Sequence, residues 1–392
     1  MSSDNLTATA GASETSAGGD SVSASDAVTD SREKVWTVLE LLTWTTDYFK
    51  KSGIDSARLD AEVLLAHALD VQRLRLYIDH EKPVKPEERD RFRSLVSRRA
   101  QQRVPVSQLL GEREFWSLSF KVSSEVLTPR PETETLVEWA LTKVPGHGTH
   151  KKVNKSASLL VAEAAREAES AAADVATAVA DGIVLPEEVA NLDLDGSIGL
   201  GSAAAEAGSQ SGSQVTDSAG TMRILDLGTG SGAIALSLAS ELPHAEITAS
   251  DLSPAALQIA ARNADELRTG ERIRFVEGDL FAPLAKEKFD LIVSNPPYVA
   301  RTDEGSLPPE LAHEPDMALF SGADGLDVIR RLVAEAGDHL SPGGWLGIEL
   351  SPEQVDEVEQ ELSQAGFVDV ERRFDLASRP RVVGARKPNE ND

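Results

Sequence analysis

The second half of this 392-residue chain alternates short apolar runs with helical stretches, and this alternation restricts the fold more than any other feature. It begins with the run Ile224-Leu225-Asp226-Leu227, which leads into a predicted helix over 233–242. Further elements are predicted along the chain: strands at 246–250, 273–276, 291–294 and 345–349, and a helix at 254–267. Such alternation indicates an α/β fold with a parallel, doubly wound sheet. We expect edge strands at 368–371 and 381–383.

Residues 34–110 lack this alternation and instead carry apolar side chains at helical spacing. Two segments show the spacing: Val35, Val38, Leu39 and Leu42, and then Leu59, Val63, Ala66, Ala68 and Leu69. Asp55 is placed to cap the second helix. A third helix carries three arginines that we expect to be solvated: Arg91, Arg98 and Arg99. The pattern predicts a small N-terminal helical bundle, followed over 111–135 by a hairpin connector.

Two acidic, low-complexity segments interrupt this organisation. Residues 1–33 hold six acidic side chains against Arg32, and residues 156–220 hold eleven against Arg166. Neither segment has enough large apolar side chains to offset the entropy lost on ordering. We therefore expect a disordered tail, and an insertion that interrupts the α/β domain over 136–385. Together the segments account for −15 of the formal net charge of −26, so charge does not identify a partner.

The chain contains no cysteine, which excludes disulfides and thiolate chemistry. No run approaches the roughly 18 apolar residues of a membrane span. The first residues lack the basic and apolar parts of a secretory signal. We therefore expect a cytoplasmic protein with no membrane partner and no metal site.

The first strand of the α/β series ends in a glycine-rich loop, Gly228-Thr229-Gly230-Ser231-Gly232. Glycines let the backbone approach a ligand closely, and the amides at the start of the next helix favour an anionic group. Asp251 ends the second strand, where it would accept hydrogen bonds from ribose hydroxyls. These features predict a nucleoside-containing cofactor, but they fit a dinucleotide as well as S-adenosylmethionine.

Asp279 and Leu280 follow the third strand, at the same edge of the sheet. The Asp279 carboxylate would accept a hydrogen bond from an adenine amino group, and Leu280 would cover the ring. An aspartate that caps the next turn explains the residue equally well.

The motif Asn295-Pro296-Pro297-Tyr298 directly follows a buried strand, so it lies at the edge of the sheet where ligands bind. An amide or aromatic amine nitrogen is a poor nucleophile because its lone pair is delocalised. The side-chain oxygen of Asn295 and the carbonyl of Pro296 would accept its two N–H groups and aim it at a methyl group. Tyr298 offers a face for stacking. The motif therefore predicts methyl transfer from S-adenosylmethionine, which a dehydrogenase would not require.

The chain resembles the bacterial release-factor glutamine methyltransferases, which modify the glutamine of the Gly-Gly-Gln motif in peptide chain release factors. Besides the glycine loop and Asn-Pro-Pro-Tyr, four segments match: Gly111-Glu112-Arg113-Glu114-Phe115-Trp116, Thr128-Pro129-Arg130-Pro131-Glu132-Thr133-Glu134, His313-Glu314-Pro315 and Gly322-Ala323-Asp324-Gly325-Leu326. They fall between about residues 35 and 385. DNA adenine methyltransferases share Asn-Pro-Pro-Tyr, so this motif does not identify the substrate. The Arg130-to-Glu134 stretch and the Glu314-Pro315 and Gly322-to-Leu326 segments are more specific to the family.

The resemblance implies an S-adenosylmethionine-dependent methyltransferase domain, preceded by a helical domain that helps bind the release factor. It implies cofactor contacts from the following residues: Gly228, Thr229, Gly230, Ser231, Gly232, Asp251, Asp279, Leu280 and Asn295. The loop Asn295-Pro296-Pro297-Tyr298 would receive the glutamine side chain. For Arg130 and Glu132, a salt-bridged loop that braces the hairpin is the simplest interpretation.

Three alternatives share part of this pattern. A ribosomal-protein glutamine methyltransferase would have the same fold and chemistry, although the Arg130-Pro131-Glu132-Thr133-Glu134 stretch favours the release-factor enzymes. A nucleic-acid adenine methyltransferase would need a target-recognition domain or a basic groove, and the sequence suggests neither. A non-catalytic scaffold would not need an intact Asn-Pro-Pro-Tyr motif. We therefore expect release factors as substrates, no direct nucleic-acid binding and a monomer.

Overall fold

The computed structural model describes residues 34–146 and 221–390. The predicted tail over 1–33 and the predicted insertion over 156–220 lie outside these ranges. No helix in the described ranges is long and apolar enough to cross a membrane. The domain boundaries proposed from the sequence stay a prediction.

The N-terminal region is a small helical bundle, as predicted. Its helices are α1 (Val38–Lys51), α2 (Ala57–Leu69), α3 (Arg75–Ile78), α4 (Pro86–Gln102) and α5 (Val106–Leu110). Thr37 begins α1 with a capping box, in which its hydroxyl accepts the amide of Glu40 and Glu40 accepts the amide of Thr37. Phe49, Leu64 and Phe92 meet in the core of the bundle, and each is at least 98% buried. Apolar burial therefore holds these short helices together.

The bundle differs in detail from the sequence-based expectation. Val35 precedes α1 and is exposed, and Leu59 also faces outward. The predicted Ala66 and Ala68 are buried, and the buried face of α2 also carries Ala57, Ala61, Leu64 and Leu65. Because α2 is apolar on most sides, spacing alone did not identify its inner face. The N-cap of α2 is Ser56 and not Asp55.

The expectation of a solvated arginine face on α4 is wrong for Arg99. Its Nε donates to the Asp60 carboxylate at 2.7 Å and its Nη1 to Glu310 at 2.9 Å. Arg91 and Arg98 are exposed, as expected. Periodicity cannot detect such a burial, because the partners of Arg99 lie far away along the chain.

A two-residue turn joins β1 (Glu112–Phe115) to β2 (Leu118–Lys121), which confirms the predicted hairpin. Both turn residues, Trp116 and Ser117, have positive φ values, of 54° and 58°. This backbone matches the twist of the flanking strands. The Asn263 side chain accepts the amide of Lys121 at 2.7 Å and donates to its carbonyl at 3.1 Å, which fixes the hairpin against the α/β domain.

In the described residues, the main sheet has seven strands in the order β5-β4-β3-β6-β7-β9-β8. These strands are β3 (Arg223–Leu227), β4 (Glu246–Asp251), β5 (Ile273–Glu277), β6 (Phe289–Ser294), β7 (Leu340–Glu349), β8 (Val368–Phe374) and β9 (Pro380–Arg386). The first five strands in that order are parallel. From β3, the chain adds β4 and β5 on one side and then returns to add β6 and β7 on the other. The carboxyl ends of β3 and β6 therefore frame a crevice of the kind where ligands bind.

Helices cover both faces of this sheet. They are α6 (Glu134–Thr142), α7 (Ala233–Glu241), α8 (Pro254–Glu266), α9 (Asp316–Leu319), α10 (Asp327–His339) and α11 (Val355–Gln364). α6, α7 and α8 pack on one face, and α10 and α11 pack on the other. The predicted doubly wound α/β fold is therefore confirmed.

Of the two predicted edge strands, β8 lies at the edge of the sheet, whereas β9 does not. β9 pairs with β7 on one side and with β8 on the other, both antiparallel, so it is an interior strand rather than an edge strand. Trp139 of α6 lies flat against Gly347 of β7 and Gly384 of β9, where any Cβ atom would collide with its ring. Strand order depends on such long-range packing and not on the local pattern.

Candidate active site

The glycine loop after β3 has the conformation that its sequence predicts. Gly228, Gly230 and Gly232 have φ values of 72°, 56° and 83°, which side-chain-bearing residues rarely adopt. The Asp251 carboxylate at the end of β4 accepts the amides of Gly230 and Ser253, each at 2.8 Å. Burial raises the pKa of Asp251, while these amides oppose the shift. The predicted loop and the predicted acid are therefore in direct contact.

Asp226, inside β3, is a residue whose role the sequence analysis missed. Its Oδ2 accepts the Thr229 hydroxyl at 2.6 Å and the Ala235 amide at 3.1 Å, so it ties the loop to the start of α7. Burial raises the pKa of Asp226 to about 7. The sequence did contain a signal for this role, because Asp226 is an acid within an otherwise apolar strand. A buried carboxylate needs hydrogen-bond donors such as Thr229 and Ala235.

A first cavity of about 220 Å³ opens beside this loop in the described residues. The predicted residues Gly228, Thr229, Gly230, Ser231, Asp251, Asp279, Leu280 and Asn295 all line it. Gly232 does not line it and instead allows close packing, since a Cβ there would meet Leu236 and Ala260. The structure thus brings nearly all the proposed cofactor residues to one cavity.

Asp279 and Leu280 lie at one end of this cavity. The Asp279 carboxylate accepts a hydrogen bond from Arg331 of α10 at 2.7 Å, and Arg331 also lines the cavity. Leu280 has a positive φ of 46°. Arg331 was not predicted, because it lies 52 residues along the chain from its partner.

Asn295 follows β6 and lines both the first cavity and a second one. Its Nδ2 donates to the Thr133 hydroxyl at 3.1 Å. Its Oδ1 is buried and has no hydrogen-bond partner among the described residues. A buried acceptor without a partner is rare, and a ligand that donates a hydrogen bond would satisfy it.

The second cavity has a volume of about 690 Å³ and shares Asn295 with the first. Pro296 and Tyr298 line it, while Pro297 lines the first cavity. Part of its wall comes from the helical bundle, including Asp60, Arg99, Val106 and Ser107. The bundle therefore contributes to the wall of the second cavity.

Tyr298 and Glu349 meet in the wall of the second cavity. The Tyr298 hydroxyl donates to Glu349 Oε1 at 3.4 Å, and Glu349 Oε2 is buried without a partner among the described residues. Burial, and then the nearby Glu349 carboxylate, raises the pKa of Tyr298. Burial also raises the pKa of Glu349 to about 7, against the opposing effects of Thr133 and Arg381. The sequence analysis did not identify Glu349.

The Gly322-Ala323-Asp324-Gly325-Leu326 segment braces the Asn-Pro-Pro-Tyr loop. Gly325 has a φ of 83°, and a Cβ there would collide with the backbone carbonyl of Tyr298. Gln354 donates to that same carbonyl at 2.9 Å. This close approach explains why the second glycine of the segment is needed.

Two further segments that carry the resemblance meet at an ion pair. Arg130 lies 2.6 Å from the Glu314 carboxylate, which also accepts the amide of Thr128 at 3.4 Å. Burial raises the pKa of Glu314, and Arg130 opposes the shift. Arg130 is therefore salt-bridged, as expected, but it pairs with the segment after the Asn-Pro-Pro-Tyr loop and not with the hairpin. Glu132 lies 3.8 Å from Arg379.

Residues 34–146 and 221–390 contain no group of three or more histidine, aspartate or glutamate side chains arranged to hold a metal ion.

Known proteins resemble this chain over most of its length. A family model for the PrmC N-terminal domain matches residues 40–111, and one for the Methyltransferase small domain matches residues 205–323. A release factor glutamine methyltransferase of Geobacter sulfurreducens is 36% identical over 356 residues, which cover 91% of this chain and 98% of the relative. Those of Rhodopirellula baltica and Xylella fastidiosa are 35% and 38% identical, covering 91% and 84% of this chain and 98% and 94% of the relatives. The chain therefore belongs to the family of release factor glutamine methyltransferases.

Proposed function

We propose that this chain transfers the methyl group of S-adenosylmethionine to the side-chain amide nitrogen of the glutamine in the Gly-Gly-Gln motif of peptide chain release factors. As a member of its family, the chain is an S-adenosylmethionine-dependent protein-glutamine methyltransferase. The observation that carries the site assignment is the buried, unpaired Oδ1 of Asn295, on the wall that two cavities share. An acceptor at that position suits an incoming amide N–H group.

The first cavity suits the cofactor. Its glycine-rich wall lets a ligand approach the backbone closely, and the start of α7 favours the carboxylate of a methionine moiety. Asp251 would accept hydrogen bonds from the ribose hydroxyls, since a carboxylate has about four acceptor positions and two are used by amides. By the same argument, Asp279 can accept an adenine amino group while it is paired with Arg331. Leu280 would cover the ring.

The Asn-Pro-Pro-Tyr loop suits the target amide. S-adenosylmethionine supplies an electrophilic methyl group, so the task of the chain is to hold a weakly nucleophilic nitrogen in line with it. Asn295 Oδ1 and the Pro296 carbonyl would accept the two N–H groups, which would fix the direction of the nitrogen and stabilise its developing positive charge. Tyr298 would stack on the planar amide.

The second cavity suits a polypeptide. At about 690 Å³ it has far more room than one glutamine side chain needs, so it can admit the flanking residues as well. Asp60 and Arg99 give the bundle a direct part in its wall, which supports residues 34–110 as a substrate-binding domain. We expect the enzyme to act as a cytoplasmic monomer without direct nucleic-acid contact, and sedimentation of the purified protein tests its oligomeric state.

Mass spectrometry of a purified release factor tests the proposal. The release factor is incubated with the enzyme and isotopically labelled S-adenosylmethionine, and we expect one labelled methyl group on the Gly-Gly-Gln glutamine. A release factor with asparagine in place of that glutamine is the matched control and should stay unlabelled. Label on ribosomal proteins or DNA in parallel reactions, with none on the release factor, would overturn the assignment.

A further inference from the structure

One arginine in the wall of the second cavity has no partner within the described part of the chain. Arg113 belongs to β1 and lines this cavity. Its Nε is buried without a hydrogen-bond acceptor, and the guanidinium forms no ion pair with any residue in 34–146 or 221–390. Burying an N–H donor without an acceptor costs free energy, and an accepting group on a ligand would remove that cost.

The hairpin directs Arg113 toward the α/β domain. Arg113 lies opposite Phe120 in the β1–β2 pair and two residues before Phe115, so the three side chains share one face of the hairpin. Both phenylalanines are at least 98% buried, in the core that the hairpin shares with α6 and α7. The guanidinium is therefore held on the inner face of the hairpin, beside the second cavity.

The other arginines that line this cavity already have acidic partners. They are Arg99, which pairs with Asp60, Arg130, which pairs with Glu314, and Arg381, which pairs with Asp375. These three guanidinium groups serve contacts within the protein. Among the described lining residues, Arg113 is thus the arginine whose donors are left for a ligand.

The charge of the wall favours a neutral acceptor over an acidic one. Against its four arginines, the wall has five carboxyl groups: Asp60, Glu132, Glu310, Glu314 and Glu349. A carboxylate of the substrate would be repelled by them, whereas a peptide carbonyl brings no net charge. Glycine has no side chain, so a Gly-Gly segment can be recognised only through its main-chain N–H and C=O groups. A guanidinium group suits such a carbonyl, because it only donates hydrogen bonds.

We propose that Arg113 is a substrate-binding residue that donates hydrogen bonds to a main-chain carbonyl beside the target glutamine. This inference rests on the proposed function, which supplies the Gly-Gly sequence next to that glutamine. Arg113 and Asn295 line the same cavity of about 690 Å³, so one polypeptide segment can reach both residues. Asn295 would receive the glutamine side chain, and Arg113 would hold the main chain that carries it.

Kinetics of the full-length enzyme with a purified release factor test the proposal. Arg113→Met removes the donors at similar side-chain length. We expect it to raise the KM for the release factor about 10- to 100-fold, as for loss of a hydrogen bond from a charged donor. The affinity for S-adenosylmethionine should not change, because Arg113 does not line the first cavity. A wild-type KM in Arg113→Met would overturn the proposal.

Arg91→Met is the matched control. It removes the same positive charge from an exposed position on α4 that lines neither cavity. We expect a wild-type KM in this variant. If Arg91→Met raised the KM as much as Arg113→Met, the effect would come from net charge and not from a hydrogen bond in the cavity, and the proposal would fail.

Thermal unfolding separates a binding role from a structural one without using the substrate. Because Arg113 has no partner in the free protein, Arg113→Met should melt at the wild-type temperature or above it. A lower melting temperature would show that the guanidinium stabilises the hairpin, and it would refute a donor reserved for a ligand.

Variants of the release factor distinguish a main-chain carbonyl from an acidic side chain. Each acidic residue beside the Gly-Gly-Gln motif is replaced by its amide, and we expect the wild-type enzyme to keep its KM for all of them. One amide variant might instead be as poor a substrate as the unmodified factor is for Arg113→Met, with no further loss when the two changes are combined. That result would show that Arg113 binds a carboxylate and would overturn the assignment to a carbonyl. A wild-type enzyme inactive on release factors would refute the proposed function, and the melting comparison would still test Arg113.

Discussion

Gly325→Ala should slow catalysis although residue 325 touches no substrate. The new Cβ would lie 3.0 Å from the Tyr298 carbonyl carbon, with the carbonyl oxygen closer still. Carbon atoms in favourable contact are about 3.5–4.0 Å apart, so the Tyr298 backbone must shift by roughly 1 Å. A misplacement of about 1 Å at a reacting centre can lower the rate by about 10²-fold. We therefore expect kcat for release-factor methylation to fall by about two orders of magnitude.

Gly366→Ala is the matched control. Gly366 follows α11 with a φ of 85°, close to the 83° of Gly325, but a Cβ there would meet no atom within 4 Å. Both substitutions therefore force alanine into a left-handed conformation, at a cost of roughly 1–2 kcal/mol. Only Gly325→Ala should also move the loop.

The assay compares kcat with thermal unfolding for both variants. We expect both to melt at lower temperature and only Gly325→Ala to lose turnover. If the two variants had the same activity, the Gly322-to-Leu326 segment would not position the Asn-Pro-Pro-Tyr loop, and our explanation of that segment would fail.

Four further predictions follow from the site. Asp251→Ala should weaken S-adenosylmethionine binding by roughly 10- to 100-fold in calorimetry, because it removes charge-assisted hydrogen bonds. An unchanged affinity would show that Asp251 does not bind the cofactor. Asn295→Ala should lower turnover by a factor of roughly 10²–10³, and Asn295→Asp should retain more activity because it keeps an acceptor oxygen. Wild-type rates for both variants would refute the proposed catalytic centre. Arg99→Met should destabilise the protein by roughly 3–5 kcal/mol in urea unfolding, since it leaves buried Asp60 unpaired, whereas exposed Arg98→Met should have little effect. Burial raises the pKa of Glu349 from 4.5 to about 7, so the stability contribution of this carboxyl should fall as the pH rises between those values. In urea unfolding, Glu349→Gln should remove this pH dependence.

The elements that the sequence predicted well are those with a strong local signal. The predicted strand at 246–250 and helix at 254–267 differ from the structure by one residue at one end, because apolar runs there are bounded by turn residues. The glycine loop and Asp251 were also placed correctly, since each follows a strand whose carboxyl end faces the crevice. At these positions the local sequence pattern and the chemistry of ligand binding predict the same residues.

The residues that the sequence did not reveal depend on contacts between distant segments. Arg99 looked like one of several surface arginines until Asp60 and Glu310 were brought to it. Glu349 ends β7 as an ordinary strand-end acid, and only the fold places it against Tyr298. A periodicity argument has no access to such pairings, because it considers one helix or strand at a time.

The wall between the two cavities has a consequence for the order of events in turnover. Asn295 and Arg130 belong to both linings, while the glycine loop faces one cavity and the helical bundle faces the other. Neither reactant has to pass through the other's binding space, so each can arrive or depart while the other stays. Initial-rate plots should therefore intersect, as for a ternary complex, and not run parallel. Spent cofactor should be replaceable while the polypeptide remains bound, so its release need not wait for the two proteins to separate.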